Sequence, residues 1–114
     1  MLIFLNAPAT SQHILEAARE IPGYVKFVVD VRQGFMTIGG ARHFEGEQLL
    51  LERHGSHQSD LWGGGIELAG GEMDYESMIN IRPRDDNPKR DVLSQDVRQK
   101  MDVIVKKLTP TLWN

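Results

Sequence analysis

The segment from Tyr24 to Phe35 constrains the fold more than any other part of the chain. Along residues 24–31, Val25, Phe27, Val29 and Val31 share one side while Tyr24, Lys26, Val28 and Asp30 share the other. That is the period-two pattern of a strand with one dry face. Arg32-Gln33-Gly34 then reads as a tight turn with Gly34 supplying the positive φ, and residues 35–39 return as the partner strand. The remaining elements must cover this hairpin's apolar side.

Their order is legible. Residues 2–5 form a short apolar strand that ends at Asn6-Ala7-Pro8. A helix is expected over residues 11–20, capped by Thr10 or Ser11, with Ile14, Ala17, Ala18 and Ile21 as its stripe and Pro22-Gly23 as its stop. A second helix, acidic in its first turn, runs over about residues 45–54 and ends at Gly55. Residues 61–68, with Gly63-Gly64-Gly65 inside, and residues 75–82 read as a second hairpin. Residues 93–108 carry Leu93, Val97, Met101, Ile104, Val105 and Leu108 at helical spacing, with Lys106 and Lys107 suiting the C-terminal dipole. The sum is an α+β two-layer sandwich in one domain, residues 1–114: a four- or five-stranded, mostly antiparallel sheet with three helices on one face. Five strands span about 24 Å, and three helices of about 10 Å each blanket one side of that width. The other face is then expected to be open, with Lys26, Asp30, Glu76, Asn80 and Arg82 on it.

Composition bounds the function classes. The net charge of −3 argues against a protein that grips a nucleic-acid backbone. No run is long enough to span a membrane, and residues 2–5 are too short for a secretion signal. The chain has no cysteine, which excludes disulfides and thiolate chemistry and fits a cytoplasmic setting. No cofactor motif is present: the glycine runs lack the lysine and hydroxyl of a phosphate loop. His43, His54, His57 and Asp60 suggest metal ligands on paper. Eleven helical steps would separate His43 from His54 by about 16 Å, too far for one ion, so no metal site is expected.

The candidate chemistry is polar and lies near strand ends. On residues 75–82 read as a strand, Tyr75, Ser77, Ile79 and Ile81 share one face and Glu76, Met78, Asn80 and Arg82 the other. Arg82 and Arg90 are expected to hold a small anion, Asn80 and Asn87 to orient it, and Asp30 to position Arg82. The polar face could equally be a solvated surface or the seam of a homodimer centred on Met78 and Val28. A hydrolase- or lyase-type enzyme is the rival, with His43 or Asp30 as base and Arg82 steadying negative charge. A module that binds only a protein partner is a third reading. Gly55-Ser56-His57-Gln58-Ser59-Asp60 offers the residue types of a triad but no nucleophile elbow.

Several blocks carry a resemblance: Val28-Val29-Asp30-Val31, Met36-Thr37-Ile38-Gly39-Gly40 with His43, Leu49-Leu50-Leu51-Glu52, Asp60-Leu61-Trp62-Gly63 and, most specifically, Ser77-Met78-Ile79-Asn80-Ile81-Arg82-Pro83. Together they resemble a family of small prokaryotic single-domain proteins known as a domain of unknown function. The resemblance implies a stand-alone domain and brings no activity with it. It draws attention to Asp30, His43, Glu52, Ser56, Gln58, Asp60, Asn80, Arg82, Asn87 and Arg90.

Overall fold

A computed structural model describes residues 1–113. The strands are β1 (Ile3–Leu5), β2 (Tyr24–Asp30), β3 (Phe35–Ile38), β4 (Leu61–Glu67) and β5 (Glu72–Asp74); the helices are α1 (Ser11–Ala17), α2 (His43–Arg53) and α3 (Gln95–Leu108). They form an α+β fold around one antiparallel sheet of order β1-β3-β2-β4-β5. The β2–β3 hairpin sits at its centre as the alternation requires, with Val29 opposite Met36 and Phe27 opposite Ile38. No helix among the described residues is long and apolar enough to cross a membrane.

The helices do not share one face, and this corrects the expected layering. Val25, Phe27, Val29, Met36, Ile38 and Ile66 meet Ile14 and Ala17 of α1 and Met101, Val105 and Leu108 of α3 in the main core. Val28, on the opposite side of β2, packs with Leu50 of α2 and with Leu61. The close approach of α2 rests on Gly46, where a Cβ would lie 2.3 Å from Thr37 Oγ1 and 3.0 Å from a Val28 methyl. The period-two reading treated Val28 as part of a polar face, but Val28 and Leu61, flanked by Phe4, Phe35 and Ile79, give that face enough apolar surface to seat a helix. α2 covers only the Val28–Asp30 end of that face, so the Tyr24–Lys26 end remains open.

The second correction concerns residues 75–82, which are not a strand. β5 ends at Asp74, Met78–Asn80 is a 3-10 turn, and Pro83–Asp85 is another. Ser77 begins the first turn by accepting from the Ile79 N–H at 3.2 Å. The second ends on Asp86 in the left-handed region, φ 57°. The side chains these turns bury are polar, Ser77, Asn80 and Arg82, while the apolar Met78 and Ile81 are exposed.

Candidate functional site

β5 is only three residues long, so half of the outer edge of β4 has no strand beside it. Side chains take its place. Asn80 accepts from the Gly63 N–H at 2.8 Å and donates to the Gly63 carbonyl at 3.0 Å, pairing with the backbone as a strand residue would. Arg82 Nη1 donates to the Leu61 carbonyl at 2.9 Å, two residues further along the same edge. The Arg82 guanidinium also lies over the Trp62 ring, 4.1 Å from its centroid, and its Nε donates to Asp85 at 2.8 Å. Asn87 ties the loop to itself: its amide donates to the carbonyls of Asn80, Lys89 and Asp91, and its oxygen accepts from the Leu93 N–H, all at 2.9 Å.

Asn80 and Asn87 are therefore buried with both amide atoms engaged by backbone, and Arg82 pairs with Asp85 instead of Asp30. Asp30 lies at the far end of β2, fully buried. Its carboxylate accepts from the N–H groups of Arg32 and Gln33, from the Gln33 side chain and from Ser56 Oγ, at 2.7–3.0 Å. Burial pushes its pKa up, but the hydrogen bonds outweigh burial and hold it below the usual carboxylate value. Asp30 thus pins the β2–β3 turn to the exit of α2.

His43 and Arg90 do come together. They line a cleft of about 190 Å³ with Lys26, Glu76, Ser77 and Met78, at the uncovered end of the sheet face. A neighbouring recess of about 250 Å³ shares Lys26, His43, Ser77 and Met78 and adds Arg42, Phe44 and Ile79. Arg90 arrives because residues 75–77 and 90–92 pair: the Ser77 N–H donates to the Arg90 carbonyl and the Val92 N–H to the Tyr75 carbonyl. The Asn80 amide reaches the Tyr75 and Arg90 carbonyls too, at 3.1 and 2.9 Å.

The glycine run of β4 makes room for this cleft. Cβ atoms at Gly63 and Gly65 would lie 2.7 Å from Ser77 Cβ and 1.8 Å from the Tyr24 hydroxyl oxygen. His43, at the first turn of α2 and 8 % exposed, bonds through Nε2 to the Gly64 carbonyl at 2.7 Å. A carbonyl can only accept, so Nε2 carries the proton and Nδ1 is the free acceptor. Burial lowers the His43 pKa and nearby Lys26 lowers it further, against the Gly64 carbonyl and Asp74, which raise it; the net shift is downward. The ring is neutral at pH 7. Nδ1 has no hydrogen-bond partner among the described residues, and Ser77 Oγ, which accepts from Ile79, has its own hydrogen free to donate. Lys26, Arg42 and Arg90 outnumber Glu76, so the cleft is cationic.

Ser77 was not among the expected site residues. The sequence signal for it was its place in the most specific block, but its position opposite His43 depends on two loops meeting. Of the other histidines, His54 stacks on the Phe4 ring at 3.6 Å and His57 is exposed near Asp60, whose carboxylate bonds Arg32. Among the described residues no three histidine or acidic side chains converge as metal ligands do. A further concavity of about 520 Å³ lies between the β2–β3 turn and α3, lined by Val31, Gly34, Val103 and Ile104 among others, and holds none of the candidate residues.

A family model matches residues 3–108, and its description is a protein of unknown function. No curated protein and no solved structure matches.

Proposed function

The chain belongs to the DUF5674 family of proteins of unknown function, and we propose that its His43 cleft binds a small molecule carrying one anionic group and one hydrogen-bond donor. The observation that carries this reading is His43: nine-tenths buried, its tautomer fixed by Gly64, its Nδ1 uncommitted beside Lys26 and Arg90. A histidine held neutral does not attract an anion; it accepts a hydrogen bond. Lys26 and Arg90 supply the charge, and the Ser77 hydroxyl supplies a donor. The roles expected of Asn80 and Asn87 become indirect, since they hold the loop that delivers Ser77 and Arg90. The cysteine-free composition favours a reducing, cytoplasmic setting for that ligand.

Inorganic phosphate serves as the probe. Titration against ¹⁵N-labelled protein, with chloride at matched ionic strength, is expected to shift the amides of Lys26, His43, Ser77 and Arg90 saturably. The Lys26→Gln/Arg90→Gln double variant is expected to stay folded and lose both those shifts and the phosphate-induced rise in Tm. Shifts spread evenly over the surface, or unchanged in the double variant, would sink the reading.

Self-association has one specific support: Met78 and Phe44, 64 % and 53 % exposed, form an apolar rim on the recess beside the cleft. A dimer built on that rim predicts that Met78→Glu gives a monomer by light scattering. The enzyme reading that joins His43, Asp30 and Arg82 has less behind it, because Asp30 is sealed and Arg82 is committed to the edge of β4.

A further inference from the structure

Arg82 has one nitrogen left over, and we infer that the groove in front of it is a second binding site, for a monocarboxylate with a short apolar tail. The groove encloses about 490 Å³ and is lined by Gln58, Ser59, Ile81, Arg82, Pro83, Arg84 and Asp85. Arg82 is 7 % exposed. Its Nε donates to Asp85, and its Nη1 donates to the Leu61 and Ile79 carbonyls at 2.9 and 2.8 Å. Nη2 is buried with no partner. Nε and Nη2 lie on one edge of the planar fork, the edge that ordinarily grips both oxygens of a carboxylate. Asp85 takes only the Nε position, and Asp85 lines the groove, so the vacant half of that edge faces the same space. The stack on Trp62 and the two carbonyl bonds fix the guanidinium. Asp85 is the movable member, at the surface with a side chain 27 % exposed. A swing of its carboxylate uncovers Nη2 for an incoming oxygen.

Charge and shape select the ligand class. Two guanidinium groups, Arg82 and Arg84, against one carboxylate leave a single positive charge. A monocarboxylate matches that charge, and a phosphate dianion exceeds it. The groove is too roomy for a lone carboxylate, and Ile81 and Pro83 offer apolar surface for a few carbons beyond it. Gln58 and Ser59 bring further hydrogen-bonding groups. No lining residue is shared with the His43 cleft, so the two sites stand or fall separately.

Sodium butyrate is the probe, titrated into ¹⁵N-labelled protein with sodium phosphate and sodium chloride as controls at matched ionic strength. Saturable shifts are expected at the Gln58, Ser59 and Arg84 amides and at the Arg82 Nε–H, and none at Lys26 or His43. Arg84 is exposed, so Arg84→Gln should keep a folded spectrum and weaken butyrate binding roughly tenfold, the scale of one lost charge-assisted contact. The Lys26→Gln/Arg90→Gln double variant should bind butyrate as the wild type does. The inference is overturned if butyrate gives no saturable shift at these positions, if Arg84→Gln binds equally well, or if phosphate competes as strongly as butyrate.

Discussion

Asn80 shows how much one side chain can hold. Its amide meets the Gly63 N–H and the carbonyls of Gly63, Tyr75 and Arg90, so it joins the edge of β4 to both arms of the loop. Asn80→Ala leaves the Gly63 N–H and carbonyl buried without partners, at about 1–3 kcal/mol for each one that water cannot reach, while the Tyr75 and Arg90 carbonyls keep the Val92 and Ser77 N–H groups. Urea denaturation should show a loss of roughly 3 kcal/mol or more, and hydrogen exchange at the Gly63 amide should accelerate. Asn80→Asp should do no better, since it sets a carboxylate against three carbonyl oxygens; a variant as stable as wild type would mean that the loop is held by something else. Gly65 makes a steric case at the same scale. Gly65→Ala forces its methyl into the Tyr24 phenol and should cost about 1–3 kcal/mol. Tyr24→Ala should remove that penalty, so the double variant is expected to lose less than the sum of the two single losses.

Among the elements, the short β5 has the widest consequences. Three residues pair with β4, and then the chain turns away, leaving backbone groups that water or side chains must satisfy. Asn80 and Arg82 meet that need, which is why these two residues looked out of place in a central strand. α2 depends on a similar fit: Gly46 lets it lie against Thr37 and Val28, and its first turn carries His43 to Gly64. Gly46→Val should push α2 outward, disturb His43 and Leu50 together, and lower Tm while abolishing any phosphate response in the cleft. If Gly46→Val retains the wild-type Tm, the helix is not seated as described.

Across the whole molecule, stability should depend on pH in two steps. The folded His43 pKa lies below the ordinary value of about 6.5, so near and below that pH the unfolded chain binds more protons. His43 therefore contributes fully above about pH 6.5, and its contribution is lost as the pH falls through the folded pKa. Asp30 is also depressed, from about 3.8; its contribution holds above that value and disappears at still lower pH. Chemical denaturation as a function of pH should show the first decline in the wild type and not in His43→Gln, while Ser56→Ala should shrink the second. A wild-type profile flat from pH 7 to 5 would contradict the burial of His43.

What the residues dictated unaided was local: the β2–β3 hairpin, the long stripe of α3 and the α+β class follow from alternation, turn chemistry and helical spacing. His43 and Arg90 were also recognisable as site candidates by residue type. The tertiary structure alone decided which sheet face α2 covers, because Val28 reads as an ordinary member of a mixed face until Gly46 is seen to admit a helix against it. It alone decided that Asn80 and the Nη1 of Arg82 serve the β4 backbone, because their partners Gly63 and Leu61 lie far off in sequence. Periodicity records which side of an element is dry, but it carries no record of which distant group a buried polar atom meets, and that meeting separates a scaffold residue from one left free for a ligand.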